Sequence, residues 1–241
     1  MTNIFEAKNQ IVEVGRRVWM KGWVAANDGN ISCRIDDDEY VCTPTGVSKG
    51  FMEVSDLITV DQEARKRGGG PLKPSSEIKM HFFVYRNRPD VGAVVHAHPP
   101  IATGFAVAGL ALDQCVLPEV VALMGQIPLA KYGLPSTEEI PQSIEPYVKD
   151  NSAVLLANHG ALAWGKDLMQ AYYRMETMEH FAKILLTAIQ LGNVNMFTKD
   201  QVKALESLRD RFGLEGPFQG CNLNQSQKAP FPTGTVEDIH D

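Results

Sequence analysis

Three histidines at predicted strand ends are the residues of this chain best suited to chemistry. His96 and His98 stand two apart in the run Val91 to Pro100, whose β-branched and small apolar residues predict a buried strand. Because side chains alternate faces along a strand, the two imidazoles should point the same way. His159 follows a second apolar run, Ala153 to Ala157, at its carboxyl end. Three imidazole nitrogens with one open position are typical of a catalytic zinc ion, so the pattern predicts a metal site.

An acid and a set of anion-binding groups come from other segments. Glu77 follows Ser75 and Ser76 at the predicted start of a helix that runs to about Arg88, with one of the two serines as N-cap. The carboxylate could complete the metal's ligand set or act as a base. A helix N-terminus that carries two hydroxyls can bind a phosphate. Two turn-rich loops offer further donors to the same anion: Gly29, Asn30, Thr45 and Gly46.

The remaining histidines lie in predicted helices or near the C-terminal end. We interpret them as packing or surface residues: His81, His180 and His240.

Composition and charge narrow the range of partners. The chain has 241 residues, of which 44% are hydrophobic and 22% charged, as in ordinary globular domains. Its net charge of -6 gives no basic surface for nucleic acid or an anionic membrane. No stretch approaches the roughly 18 apolar residues of a membrane span, and the first residues lack an apolar signal segment. We therefore expect a soluble, cytoplasmic protein with no nucleic-acid or membrane partner.

The four cysteines show neither CxxC spacing nor the density of a disulfide scaffold. Cys33 and Cys42 flank an acidic turn and could face each other across a hairpin. In a reducing cytosol free thiols are nevertheless the expectation for all four, including Cys115 and Cys221.

Apolar periodicity predicts an alternation of helices and strands, and hence an α/β domain. Helices are predicted over 3–21, 75–88, 101–108, 138–149, 167–191 and 198–212. Strands are predicted over 31–35, 39–43, 57–60, 91–98 and 153–157. The basic, glycine-rich stretch 65–71 predicts a surface loop, and 112–130 predicts two strands around a short helix. This gives one domain over 1–212 and a polar tail over 213–241, which is either disordered or a lid on a neighbouring subunit.

Five motifs, taken in order, resemble the zinc-dependent class II sugar-phosphate aldolases, the group of fuculose-phosphate aldolase and ribulose-phosphate 4-epimerase. They are Gly29-Asn30-Ile31-Ser32, Thr45-Gly46, Ser75-Ser76-Glu77, His96-Ala97-His98 and Asn158-His159-Gly160. Each motif alone is weak, but the ordered set is specific and spans residues 3 to about 212. The resemblance implies a three-layer α/β/α fold with a mainly antiparallel central sheet, as in the adducin head, and a homotetramer with active sites between subunits.

The resemblance also implies roles for the candidate residues. Zinc, or another divalent metal, would be held by His96, His98 and His159 together with Glu77. The substrate, a sugar phosphate, would be held through its phosphate by six residues: Gly29, Asn30, Thr45, Gly46, Ser75 and Ser76.

The implied reaction is retro-aldol cleavage of a ketose phosphate, of the L-fuculose 1-phosphate type, to dihydroxyacetone phosphate and an aldehyde. Zinc would chelate the C2 carbonyl and C3 hydroxyl oxygens and stabilise the enediolate, while Glu77 moves the proton at C3. The 4-epimerases of the family carry Asp where this chain has Glu77, which favours a lyase.

This chain departs from fuculose-phosphate aldolase at the tyrosines that serve the leaving aldehyde as proton donors. Leu117-Pro118-Glu119 stands where the first is expected, and no tyrosine follows Tyr173. Glu119 or Tyr132 could replace the donor, although Tyr132 is more typical of a packing aromatic. The alternatives are a dehydratase, a decarboxylase or a 4-epimerase of the same family. A non-catalytic scaffold like the adducin head is disfavoured, because the metal-binding residues are all present.

Overall fold

The structure is a computed structural model that describes residues 3–211, 214, 216 and 218–223. Its strands are β1 (Asn30–Arg34), β2 (Tyr40–Cys42), β3 (Ile58–Val60), β4 (Lys66–Gly68), β5 (Ala93–Ala97), β6 (Leu129–Ala130), β7 (Ala153–Leu156) and β8 (Gly160–Gly165). Its helices are α1 (Ile4–Met20), α2 (Ile78–Asn87), α3 (Pro100–Val107), α4 (Pro118–Leu123), α5 (Glu139–Val148), α6 (Leu168–Gln190) and α7 (Lys199–Arg211), with a 3-10 turn at Val54–Asp56. Over these described residues, none of the helices combines the length and apolar character needed to cross a membrane.

The strands form one eight-stranded sheet in the order β4-β3-β2-β1-β5-β8-β7-β6. All neighbouring strands are antiparallel except β6 and β7, which are parallel. The two faces of β5 show the layering, because Ala93 and Val95 pack into a core with α1, α3 and α6, whereas Val94 packs into a second core with α2 and α5. The predicted three-layer α/β/α fold with a mainly antiparallel sheet is confirmed.

Side-chain caps begin two of the long helices where the sequence predicts them. The Asn3 carboxamide oxygen accepts from the backbone N–H of Phe5 at 2.9 Å, and Asp167 accepts from that of Gln170 at 2.8 Å. Such caps satisfy backbone donors that have no partner inside the helix, and each is worth about 1 kcal/mol. They fix the N-terminal ends of α1 and α6, which cover one face of the sheet together with α3.

Four segments differ from the prediction. The helix α2 begins at Ile78 with Glu77 in the N-cap position and no side-chain cap, so neither preceding serine caps it. The basic stretch is an edge strand, β4, rather than a loop. Residues 112–130 contain α4, the two-residue β6 and an isolated bridge from Leu112 to Ile127. The strand β8, which follows His159 directly, is absent from the prediction.

A disulfide joins Cys115 to Cys221, so the expectation of free thiols is wrong for this pair. The two residues are separated by 106 positions and meet because 218–223 packs back on the domain. There the backbone N–H of Gln126 donates to Gln219 O at 3.0 Å. Cys33 and Cys42 are free and buried, as predicted, and burial raises the pKa of the Cys42 thiol to about 12. Of the predicted tail, residues 213, 215, 217 and 224–241, with His240, lie outside the described residues, and the domain boundary at 212 stays a prediction.

This disulfide should be measurable in the purified protein. Unfolded without reductant, the chain should expose two reactive thiols out of four. The Cys221→Ser variant should lose about 2–4 kcal/mol of unfolding free energy, because a long closed loop restricts the unfolded chain. Adding reductant should bring the wild type to the midpoint of the variant. Four reactive thiols in the oxidised wild type would contradict the assignment.

Candidate metal centre

The end of strand β5 and the turn between β7 and β8 bring the histidines together. His96 lies near the end of β5, His98 just beyond it, and His159 in the turn between β7 and β8. Because β8 pairs with both β5 and β7, that turn lies beside the end of β5. The three ring centroids are 4.8 to 5.2 Å apart, and the candidate ligand nitrogens all lie within 4.8 Å of one another. The structure thus brings together the three histidines singled out from the sequence.

Hydrogen bonding leaves ring nitrogens of this cluster free to bind a cation. His96 Nδ1 lies 2.9 Å from the carbonyl oxygen of Ala161 and donates to it, which leaves a lone pair on Nε2. Asp28 Oδ2 lies 3.6 Å from His98 Nδ1, where its charge favours a proton on that nitrogen and a lone pair on Nε2. The two Nε2 atoms are 3.2 Å apart. Ligand nitrogens of a tetrahedral zinc ion lie about 3.3 Å from each other, given bond lengths of about 2.0–2.1 Å, so the pair fits a metal.

Glu77 completes one side of the cluster. Its Oε1 lies 3.3 Å from His159 Nε2, and its Oε2 lies 3.5 Å from His96 Nε2. Asn30 Nδ2 donates to Oε2 at 3.2 Å, whereas Oε1 is buried without a hydrogen-bond partner among the described residues. An orphaned carboxylate oxygen that faces imidazole nitrogens is the arrangement expected around a cation.

Burial sets the protonation states of the cluster. Loss of water contact raises the pKa of Glu77 above its ordinary value. The same effect, reinforced by the other rings, lowers the pKa of His96 well below its ordinary value and that of His159 to about 4. Burial also lowers the pKa of His98, against the opposing charge of Asp28. The imidazoles are therefore neutral near pH 7, which is the form that binds metal ions.

Two glycines let the backbone pass close to the rings. A β-carbon at Gly160 would lie 2.5 Å from His98 Cδ2 and 2.7 Å from Ala97 O. At Gly29, with φ of +72°, it would lie 2.8 Å from His96 O. Neither position has room for a side chain without moving the metal-site strand.

The Gly160→Ala variant should therefore damage the site without removing a ligand. The added methyl group should displace His98, lower metal affinity at least about 10-fold and cost about 1–3 kcal/mol of stability. The control is Gly104→Ala in α3, where a β-carbon meets nothing within 4 Å. Metal content after dialysis and the unfolding midpoint measure both effects. Wild-type metal content in Gly160→Ala would contradict the geometry.

The six predicted phosphate-binding residues come from three adjoining segments: 29–30 at the start of β1, 45–46 after β2, and 75–76 before α2. Backbone hydrogen bonds join the second and third, from Thr45 N–H to Lys73 O at 2.9 Å and from Ser75 N–H to Thr43 O at 3.3 Å. Ser76 Oγ also accepts from Ser136 Oγ at 2.9 Å. The structure places these segments beside one another, and their binding of phosphate stays a prediction.

Lys49, which the sequence analysis missed, joins two of these loops. It is 1% exposed, and its Nζ donates to Asn27 O at 3.1 Å and to Val47 O at 2.8 Å. Burial lowers the pKa of this ammonium group to about 8. The lysine is a source of positive charge at the base of the candidate phosphate loops. The only sequence signal is a lone lysine in a run of small residues, 43–50, which is equally typical of a solvated loop.

The remaining candidates lie in different surroundings. His81 is buried and His180 is exposed, in line with packing and surface roles. Glu119 is exposed and lines a cavity of about 840 Å³ between α4 and α6, which also includes Trp23. Tyr132 is 56% exposed, so the interpretation as a packing aromatic is not supported.

Known proteins with similar sequences cover most of this chain. A 3-oxo-tetronate 4-phosphate decarboxylase of Haemophilus influenzae is 31% identical over 211 residues, covering 86% of this chain and 99% of the relative. An L-fuculose phosphate aldolase of Methanocaldococcus jannaschii is also 31% identical, covering 74% of this chain and 95% of the relative. A methylthioribulose-1-phosphate dehydratase of Granulibacter bethesdensis is 33% identical, covering 70% and 86%.

Solved structures and a family model also match most of this chain. The crystal structure of YgbL from Escherichia coli superposes with a TM-score of 0.78 at 28% identity, over 84% of this chain and 99% of that one. An L-fuculose 1-phosphate aldolase superposes with a TM-score of 0.77 at 26% identity, over 87% and 97%. Residues 9–186 match the model of the class II aldolase and adducin N-terminal domain. With the confirmed fold and the three-histidine cluster, these matches show that the chain belongs to the class II aldolase and adducin N-terminal domain family.

Proposed function

We propose that this protein is a metal-dependent carbon–carbon lyase that acts on a small phosphorylated keto sugar or keto acid. The observation that carries the proposal is the cluster of three neutral histidines with Glu77 against two of them. His96, His98 and His159 would hold a divalent ion, with zinc the first candidate, and Glu77 would be its neighbour or fourth ligand. When bound, the ion supplies positive charge that stabilises negative charge on the substrate's oxygen atoms as the bond breaks.

In this proposal Glu77 carries the proton. Breaking a carbon–carbon bond next to a ketone leaves negative charge on the adjacent carbon, and that carbon must then be protonated. The Glu77 carboxylate lies within 3.5 Å of two of the candidate metal ligands, so a substrate held at the ion would have that carbon beside it. Asn30 holds Oε2, which leaves Oε1 as the atom that gives and takes the proton.

The substrate's phosphate is proposed to lie against the loops named above. Their donors would be Gly29, Asn30, Thr45, Gly46, Ser75 and Ser76. The Lys49 ammonium, which bonds to the backbone of two of these loops, adds positive charge there in a chain of net charge -6. Backbone N–H groups and hydroxyls can then complete the binding site.

Decarboxylation of a 3-oxo-tetronate 4-phosphate is the reaction we favour. Loss of CO2 from this four-carbon acid leaves dihydroxyacetone phosphate, the same three-carbon product that an aldol cleavage gives. A carboxylate leaves as CO2 without losing a proton, whereas a leaving aldehyde requires a group that takes the proton of its hydroxyl. The absence of tyrosine at 117–119 and after Tyr173 is consistent with the first reaction. The Haemophilus influenzae decarboxylase, matched over almost its whole length, supports the same choice.

Aldol cleavage of a ketose 1-phosphate, predicted from the sequence, is the second candidate. It is supported by the aldolase relative of Methanocaldococcus jannaschii. It would require another group to exchange the proton of the aldehyde. The cavity that Glu119 lines includes none of the metal or phosphate candidates, so Glu119 could serve only from a neighbouring subunit.

Product analysis separates these reactions. The metal-loaded protein would be incubated with a 3-oxo-tetronate 4-phosphate and, separately, with a panel of ketose 1-phosphates, and chelated protein would serve as the control. Dihydroxyacetone phosphate with CO2 is the expected result. Dihydroxyacetone phosphate with an aldehyde would establish the second candidate, and a diketone would indicate a dehydratase. No product from protein that holds stoichiometric metal would contradict the lyase proposal for these substrates.

We also propose that the protein acts as a homotetramer. An exposed aromatic pair supports association, since the rings of Trp19 and Phe51 lie 5.2 Å apart and their residues are 40% and 73% exposed. Sedimentation should give a mass of four chains. A monomer at micromolar concentration would contradict this proposal.

A further inference from the structure

A row of polar side chains between β1 and α2 leads from Glu77, beside the metal site, into the interior of the domain. Three residues of β1 face the N-cap residue of α2 and two residues within that helix. We call this set the polar ladder: Asn30, Ser32 and Arg34 with Glu77, His81 and Tyr85. The strand members are spaced by two and the helix members by four, so each group lies on one face of its element. The first contact is the one between Asn30 and Glu77 described above. The last is from Arg34 Nη2 to the backbone oxygen of Tyr85 at 2.9 Å.

The middle of the ladder is a buried chain of hydrogen bonds. Ser32 Oγ lies 2.7 Å from His81 Nδ1 and 2.8 Å from Tyr85 Oη, and Tyr85 Oη donates to Ser32 O at 3.0 Å. Ser32 and His81 are 0% exposed and Tyr85 is 2% exposed. With the tyrosine proton on Ser32 O, the serine proton goes to Tyr85 Oη, and His81 Nδ1–H donates to Ser32 Oγ. In this arrangement every side-chain proton of Ser32, His81 and Tyr85 has an acceptor. Among the polar side-chain atoms of these three residues, His81 Nε2 is the one that has no partner in the described part of the chain.

Glu77 itself has few direct restraints. It precedes the first turn of α2, makes no capping hydrogen bond through its side chain, and is contacted by Asn30 at 3.2 Å. Its position therefore depends on how α2 is rotated and shifted along its axis. A slip of one residue moves a helix by about 1.5 Å and turns its side chains by about 100°. The buried apolar face of α2 opposes a full slip of this kind, whereas directional hydrogen bonds set the smaller shifts of the helix that would move the carboxylate relative to the rings.

We propose that Ser32 and His81 are positioning residues, which fix α2 on β1 and so hold the Glu77 carboxylate against His96 and His159. The inference rests on the proposed function, since it gives Glu77 its role. The strand provides the link, because Asn30 lies directly opposite His96 in the pairing of β1 with β5, and Ser32 is two residues further along. One strand thus positions both the acid and a histidine of the cluster.

Packing alone does not account for this trio. Burial lowers the pKa of His81 to about 3, so the ring is neutral and adds no charge interaction. Its Nε2 is buried without a partner among the described residues, which is unfavourable. Apolar side chains of similar volume would fill the space without that cost. What they could not supply is a directional contact between α2 and β1.

The absorption spectrum of the Co²⁺-loaded protein tests the position of Glu77 without requiring turnover. The compared proteins are wild type, Ser32→Ala, Ser32→Thr, Tyr85→Phe and Glu77→Gln. Removing the serine hydroxyl should shift the cobalt bands toward those of Glu77→Gln, whereas Ser32→Thr, which keeps a hydroxyl, should retain the wild-type bands. Tyr85→Phe should show a smaller shift in the same direction, and it keeps the test open if Ser32→Ala does not fold.

Kinetics provide a second measurement. Proton exchange at saturating dihydroxyacetone phosphate should slow about 10- to 100-fold in Ser32→Ala, with little change in KM, because the phosphate loops are intact. The control is Val60→Ala in β3, a fully buried residue of the same core that is not in the ladder. It should lower the unfolding midpoint while leaving the cobalt bands and exchange unchanged.

The possible failures are distinct. Wild-type bands and exchange in both Ser32→Ala and Tyr85→Phe would overturn the inference, as would equal changes in Val60→Ala. A wild-type protein that binds no Co²⁺ would instead overturn the proposed metal centre, and the inference with it.

Discussion

Replacing Glu77 with glutamine should stop proton transfer while leaving the metal bound. In D2O, wild-type protein should exchange one proton on the hydroxymethyl carbon of dihydroxyacetone phosphate, because the group that protonates this carbon in the forward reaction also removes the proton in reverse. Glutamine is similar in size but cannot accept that proton. We expect exchange to fall at least about 100-fold, in line with the loss of a general base. Nuclear magnetic resonance of dihydroxyacetone phosphate measures the exchange, and elemental analysis of the protein measures the bound metal.

The control for this variant is Glu138→Gln. Glu138 pairs with Lys79 near the start of α2, but its side chain is 66% exposed, and it is not part of the proposed site. It should exchange at the wild-type rate. Retained exchange in Glu77→Gln would exclude the proton-transfer role. Loss of the metal together with exchange would show instead that Glu77 serves mainly as a ligand.

Replacing His98 with alanine should remove the metal without unfolding the domain. His98 is the cleanest of the three ligands to test, since its side chain is 27% exposed, whereas that of His96 is fully buried and its loss would also leave a cavity. Two imidazoles and a carboxylate should bind the ion at least about 100-fold more weakly. Metal content after dialysis should fall from one per chain to a small fraction, with loss of exchange.

Metal-free wild type provides the matched comparison, and it should unfold at nearly the same midpoint as His98→Ala. The control variant His180→Ala, which changes an exposed histidine outside the cluster, should keep its metal. Stoichiometric metal in His98→Ala would show that the three-histidine cluster is not the binding site.

The elements with a clear period were predictable from the sequence. The run of β-branched and small apolar residues around His96 identified β5, and the helices predicted over 3–21 and 167–191 match α1 and α6. The strand β8 was missed because its sequence, Gly-Ala-Leu-Ala-Trp-Gly, has no β-branched residue and has glycines at both ends. The edge strand β4 was missed for the opposite reason: its Lys and Arg side chains, typical of a loop, also protect exposed sheet edges.

The site was predictable only where residue type and local spacing were sufficient. Strand ends indicated the histidines, but the approach of Glu77 to them depends on the packing of α2 on β1, which only the family resemblance suggested. Lys49 and Asp28 lie in loops, where charged residues are usually solvated, so their contacts with the site had no local signal. The partner of Cys115 is 106 positions away, and no spacing rule connects the two.

Proton exchange in wild-type protein tests whether the three-histidine cluster is a lyase centre, because it does not depend on which group leaves the substrate. Dihydroxyacetone phosphate would be incubated in D2O with metal-loaded protein and with the same protein after chelation. We expect the metal-loaded protein to incorporate one deuteron at the hydroxymethyl carbon. The exchange should be lost on chelation and should return when zinc is restored. Absence of exchange from protein shown to hold one metal ion per chain would contradict the assignment of this site as a lyase centre.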